Sequence, residues 1–234
     1  PQRQEKTEAR DLSGAHLLVV EDNEINQQVA KELLEGFGAR VEIAGNGKIA
    51  VERIEDGMCY HAVLMDLQMP VMDGYEATAR IRKKLDKDTL PILAMTAHAL
   101  QSEIPKCMQT GMNGVVTKPI DPDKLKEELL KWITPKLTPA AVPPRQAVSP
   151  QPEVREEDSI DSLQGIDVKS ALDRLMGNRR LLKKLVEDFV ANHSHIFADI
   201  REALERGDWI SAQRAVHTFK GVAGNLSATE AFSS

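Results

Sequence analysis

The sequence predicts an α/β domain, a doubly wound parallel sheet of five strands, followed by a smaller all-α unit. Three observations carry this. Between residues 16 and 134, short apolar runs alternate with stretches of helical period, the signature of βα units on a parallel sheet. The runs Leu17-Leu18-Val19-Val20, Ala62-Val63-Leu64-Met65 and Ile92-Leu93-Ala94-Met95 are apolar throughout, as strands buried on both faces must be. Beyond residue 158 the apolar positions recur only at three- and four-residue steps.

Taken in order, residues 1–13 are polar, charged and without period, and read as a tail or linker. The first domain spans 14–134, with strands near 16–21, 40–44, 61–65, 91–95 and 114–117. Helices fall near 24–36, 47–56, 74–84, 102–110 and 122–133. Pro105 is compatible with the fourth helix if that helix starts near Ser102, which puts the proline in its first turn. Six of the twelve prolines then lie between Pro135 and Pro152, so 135–158 reads as an extended, semi-rigid linker.

The all-α part spans 159–234. Asp167–Leu175 form a short amphipathic piece. Leu181, Leu182, Leu185, Val186, Phe189, Val190, Ile196, Phe197, Ile200 and Leu204 line one face of a single long helix, which Gly207 stops. Asp208 caps the next helix, which turns Trp209, Ala212, Ala215, Val216, Phe219 and Ala223 inward. Ser227-Ala228-Thr229-Glu230 is a capping box for one more helix, reached about a turn before Ser234. The chain starts at Pro1 rather than Met and reads as a piece of something longer, or as processed.

Composition narrows the function. The 234 residues are 41% hydrophobic and 28% charged, ordinary for a soluble protein. A net charge of −6 argues against a nucleic-acid surface. No apolar run approaches the ~18 residues of a membrane span, and no basic-then-apolar leader opens the chain. Cys59 and Cys107 match no metal or CxxC spacing and read as reduced thiols of a cytosolic protein.

The chemistry collects at strand ends. Glu21-Asp22 end the first strand, Asp66 the third, Thr96 the fourth, and Lys118-Pro119 follow the fifth. The carboxyl ends of strands are where open α/β sheets hold ligands. Three acids close together raise one another's pKa unless a cation intervenes. Mg²⁺ suits the set, because it takes few protein oxygens and keeps room for a phosphoryl oxygen. With the charge neutralised, Asp66 can act as a nucleophile and form an acyl phosphate. Lys118 supplies a point charge and Thr96 a hydroxyl for the phosphoryl oxygens. A cis Lys118–Pro119 bond would aim the lysine inward. In the helical part, Ala215-Val216-His217-Thr218-Phe219-Lys220-Gly221 offers an imidazole as a second nucleophile. Lys220 stands one turn on, and Gly221 and Gly224 open the helix to a partner's acidic pocket. His16, His61, His98, His193 and His195 read as structural.

The motifs Val19-Val20-Glu21-Asp22-Asn23, Met65-Asp66-Leu67-Gln68-Met69-Pro70, Met72-Asp73-Gly74, Ala94-Met95-Thr96-Ala97 and Thr117-Lys118-Pro119 cover nearly all of 16–134. On these, the first domain resembles the receiver domains of two-component signalling. The resemblance implies a flavodoxin-like sheet of order 2-1-3-4-5 with Asp66 as phosphoacceptor. It implies Mg²⁺ on Asp22, Asp66 and the Gln68 backbone carbonyl, with Glu21 acting through water. Thr96 and Lys118 would read the phosphate. One departure is Val115, where the family often has an aromatic residue coupled to the threonine. Its absence points to phosphate relay rather than surface remodelling as the output. The His217-x-x-Lys220-Gly221 segment resembles histidine phosphotransfer (HPt) domains, with His217 as phospho-carrier. The family's bundle has four helices and about three are present here. The apolar face of Leu185, Phe189, Phe197 and Phe219 should therefore pack loosely or borrow a cover.

The expectation is a cytoplasmic phosphorelay fragment from the C-terminal part of a hybrid sensor histidine kinase, whose parent an inner-membrane anchor elsewhere could hold. Its partners would be an upstream histidine kinase, in the same polypeptide or another, and a downstream response regulator, with no nucleic acid and no membrane in this segment. No Gly-rich ATP-binding box occurs in these residues, so autokinase activity is not expected. Two alternatives stay open. A haloacid-dehalogenase-like phosphatase would also use a strand-end Asp and Mg²⁺, but it wants a second Asp where Gln68 stands. A degenerate receiver acting as a docking module would not need the intact acidic set.

Overall fold

The structure is a computed structural model that describes residues 12–97, 103–133, 166–193 and 195–225. Residues 1–11 of the expected tail, the proline-rich linker, His98 and the 227–230 capping box lie outside them, while Leu12, expected in that tail, is buried in the core and its amide donates to the Phe37 carbonyl at 2.8 Å. Five βα units follow one another: β1 (His16–Val20), α1 (Glu24–Gly36), β2 (Arg40–Ala44), α2 (Gly47–Glu55), β3 (Ala62–Asp66), α3 (Gly74–Ile81), β4 (Ile92–Thr96), α4 (Glu103–Thr110), β5 (Gly114–Thr117) and α5 (Pro122–Ile133). All neighbouring strands are parallel, in the order β2-β1-β3-β4-β5. The flavodoxin-like α/β expectation therefore holds. The chain order reverses beside β1, so the ligand crevice opens at the carboxyl ends of β1 and β3.

The alternation of the strands divides the core. Leu17, Val19 and Leu64 pack with Leu33, Leu34, Leu125 and Leu129 under α1 and α5. Leu18, Val20, Val63 and Met65 pack with Val51, Ile54, Ala77 and Ile81 under α2 and α3. Every residue of β3 is buried, which leaves Asp66 as the one charged side chain on the central strand. Asn23 caps α1, accepting from the Asn26 amide at 3.0 Å. Asp73 caps α3, accepting from the Glu76 amide at 2.8 Å. Gly74 is required beside it, because a Cβ there would collide with the Asp66 carbonyl oxygen. Pro105 falls in the first turn of α4, where its missing N–H breaks no helical bond.

The helical part contains α6 (Val168–Arg174), α7 (Arg179–His193), α8 (Ile196–Glu205) and α9 (Trp209–Asn225). The single long helix expected over this stretch is two helices. α7 ends at His193 and α8 begins at Ile196, in a stretch whose sequence holds the weak helix formers Asn192, His193 and His195. Asp208 caps α9 as expected, accepting from the Ser211 amide at 3.1 Å. Trp209 does not turn inward but is 71% exposed. It is the first residue of its helix, and a helical side chain lies over the preceding turn, which position one lacks. Val216, also expected inside, is half exposed.

The apolar face expected to want a cover finds one in part. Leu181, Leu182 and Leu185 are buried in the same cluster as Leu33 and Leu34 of α1, and α1 contacts both α7 and α9. Lys184 Nζ donates to Gln28 Oε1 of α1 at 3.0 Å. Phe219 packs against Phe189 and Phe197, with ring centroids 6.1 and 4.9 Å apart. The Phe197 side remains open, at 62% exposure. Leu182→Ala should destabilise this docking by about 2–5 kcal/mol, the cost of a buried large-to-small change. Limited proteolysis read by mass spectrometry should then show faster cleavage within 166–225 and unchanged resistance of the sheet. Equal cleavage rates in both proteins would refute the assignment.

Candidate functional site

The ends of β1, β3 and β5 deliver charged groups to the same crevice. Val20 ends β1, and Glu21 directly after it is 2% exposed. Asp66 ends β3 and is 1% exposed. Lys118, one residue past β5, reaches between them: its Nζ donates to Glu21 Oε2 at 2.6 Å and to Asp66 Oδ2 at 2.7 Å. The Lys118–Pro119 bond is cis. Asp22 joins from the rim, so that Glu21, Asp22 and Asp66 each place one carboxylate oxygen within 4.8 Å of the others. The Gln68 amide donates to Asp66 Oδ1 at 3.3 Å, while the Gln68 side chain is exposed.

The charges do not balance by themselves. Burial pushes the Asp66 carboxyl above its ordinary range although Lys118 works the other way. Burial does the same to Glu21. Burial works to lower the Lys118 ammonium, but the Glu21 and Asp66 carboxylates outweigh it and hold it above the usual lysine range. Three carboxyls facing one ammonium leave negative charge in a low-dielectric site, where a hard divalent cation is the natural complement. The oxygen donor set thus fits magnesium.

Thr96 closes β4 and is 4% exposed, but its hydroxyl turns to α4: Oγ1 donates to Glu103 Oε2 at 2.6 Å. Val115 on β5 is half buried and lines a cleft of about 200 Å³ beside α5, together with Thr117 and Glu128. His217 and Lys220 lie on α9, and their side chains lie outside what is described. Their helix neighbours are placed, however. Gly221 is buried, and a Cβ on it would come within 3.1 Å of the Asn26 side-chain nitrogen; one on Gly224 would sit 3.5 Å from Pro119. The His217 helix therefore runs against the acid cluster's own supports.

Two participants escaped the sequence reading. Asn26 is buried on the apolar face of α1, and its Nδ2 donates to Glu21 Oε1 at 2.9 Å, orienting that acid. A signal existed, since an amide at helical spacing from Val29, Ala30 and Leu33 demands a buried partner. Glu103 carried no such signal. Its contact with Thr96 joins residues seven apart in sequence, in different elements, which periodicity does not pair.

Residues 17–130 match the family described as "Response regulator receiver domain", and residues 184–233 that described as "Hpt domain". A probable histidine kinase 6 of Oryza sativa subsp. japonica is 37% identical over 140 residues, a match spanning 52% of this chain and 14% of that protein. The osmosensing histidine protein kinase SLN1 of Saccharomyces cerevisiae is 39% identical over 132 residues, spanning 54% of this chain and 11% of that protein. The chain thus spans a small part of the length of these curated relatives. Among solved structures, the receiver domain of a sensor histidine kinase of Pseudomonas aeruginosa is 41% identical, with a TM-score of 0.48, covering 52% of this chain and 99% of that one. That crystal holds a magnesium ion coordinated in the active site cleft.

Proposed function

We propose, because the chain belongs to the response regulator receiver family over residues 17–130 and to the Hpt family over residues 184–233, that it relays a phosphoryl group through Asp66 and His217. The observation that carries this reading is the Lys118 ammonium held between Glu21 and Asp66, beside Asp22, at the carboxyl end of a parallel sheet.

In the first transfer an Asp66 oxygen forms a P–O bond while the donor's phosphohistidine P–N bond breaks. The electron pair stays on the donor's imidazole nitrogen. In the second, a neutral imidazole nitrogen of His217 attacks phosphorus, and the P–O bond to Asp66 breaks to regenerate the carboxylate. Glu21, Asp22, Asp66 and the Gln68 carbonyl would hold magnesium, which supplies compensation for the charge of acids and phosphoryl oxygens. Lys118 stands where it can bond a phosphoryl oxygen, and Thr96 offers its hydroxyl. Lys220 would steady the group on His217. The upstream partner is a histidine kinase and the downstream one a response regulator. The segment belongs to the C-terminal part of a cytoplasmic hybrid kinase assembly. Among the described residues no helix is long and apolar enough to cross a membrane.

The test is incubation of the full chain with acetyl phosphate and Mg²⁺, followed by label mapping. Base-labile label should appear on Asp66 and acid-labile label on His217, and chelation of the metal should abolish the first. His217→Gln should lose the acid-labile species and keep the base-labile one. Retention of acid-labile label in that variant would refute the assignment of His217.

A further inference from the structure

We infer that Glu103 is a positioning residue that holds the Thr96 hydroxyl away from Asp66 and must release it before a phosphoryl group can be bound there. The inference rests on the reading of Asp66 as phosphoacceptor.

Asp66 pairs with Met95 across β3 and β4, so Thr96 stands one residue beyond it at the same end of the sheet. Thr96 Oγ1 donates to Glu103 Oε2 at 2.6 Å. Both residues line one small cleft with Asp66, Gln68, Tyr75 and Ala97.

A threonine hydroxyl has one proton to donate, and an ionised carboxylate only accepts. A phosphoryl group on Asp66 also only accepts. Glu103 and the phosphoryl group therefore compete for the same proton. Glu103 is also the first residue of α4, so breaking this bond unties the first turn of that helix from β4. Val115 has neither ring nor polar group. The hydrogen bond from Thr96 to α4, rather than an aromatic side chain on β5, couples the state of Asp66 to a neighbouring helix.

The test measures labelling of Asp66 by acetyl phosphate and Mg²⁺ in the full chain and in Glu103→Ala, Glu103→Gln, Thr96→Val and the Thr96→Val/Glu103→Ala pair. Glu103→Ala should label roughly tenfold faster, the scale set by a hydrogen bond to a charged acceptor. Glu103→Gln should gain less, about threefold, because its amide oxygen still accepts the bond. The double variant should label no faster than Thr96→Val alone. An unchanged Glu103→Ala rate, an equal gain in the Thr96→Val background, or a Glu103→Gln gain matching that of Glu103→Ala would overturn the inference. Hydrogen exchange keeps it testable should Glu103→Ala fail to fold. Beryllium fluoride with Mg²⁺ should speed exchange in the first turn of α4 in the unaltered protein, and unchanged or slower exchange would count against it. No label on the unaltered chain would sink the phosphoacceptor reading itself. A labelled chain indifferent to Glu103 would sink this inference alone.

Discussion

Asp66→Asn should lose base-labile labelling by more than about a thousandfold, the scale on which removal of a nucleophile reads. The carboxamide has nearly the same shape, so the fold should survive. It should also be no less stable. The Asp66 carboxyl is held above its ordinary 3.8 by burial, with Lys118 opposing. A carboxyl with a raised folded value contributes stability that is full below its unfolded value and lost as pH rises through the raised one. At pH 7 the ionised form is therefore the strained one. The substitution removes that charge and leaves Lys118 paired with Glu21 alone. A thermal melt at pH 7 should place the variant at or above the unaltered protein, and a lower midpoint would show the charge balance to be misjudged. Continued labelling at the original rate would end the assignment of Asp66.

Lys118→Met should destabilise the domain at pH 7 by roughly 3–5 kcal/mol, because it strands two buried carboxylates without their ammonium. The two bonds lost are those to Glu21 at 2.6 Å and Asp66 at 2.7 Å. Magnesium should recover part of the loss by replacing the missing positive charge. Lowering the pH should do the same by protonating acids that burial already pushes upward. Denaturant melts with and without Mg²⁺, at pH 7 and pH 5, measure all of this. A variant as stable as the parent at pH 7 without metal would show that the ammonium does not balance the cluster. Labelling by acetyl phosphate should fall as well, since the ammonium bonded to Asp66 is gone.

Much of the site was legible because its parts sit at positions that local rules identify. An apolar run ending in an acid marks a buried strand and its tip, and that logic locates Glu21, Asp66 and Thr96 without coordinates. Asp73 caps α3 and Gly74 opens it, and the structure shows why glycine is needed there: a Cβ would collide with the Asp66 carbonyl oxygen. The misses have a common cause. The apolar stripe from Leu181 to Leu204 reads as one long helix, but it runs on from α7, which ends at His193, into α8, which begins at Ile196, because two helices can share one apolar phase. Trp209 was placed inside by spacing, yet its position at the start of α9 leaves nothing for it to cover.

Residue chemistry and short-range pattern by themselves determined the parallel sheet, the acids and the lysine at its carboxyl end, and the candidate histidine on a late helix. Only the tertiary structure decided that Leu181, Leu182 and Leu185 would be covered by α1, that Asn26 would orient Glu21, and that Thr96 would turn to Glu103. Hydrophobic burial has no direction, so an apolar stripe says that a face must be covered without naming its cover. A hydrogen bond is directional and short, so its partner is known only when the chain has brought the two atoms within about 3 Å.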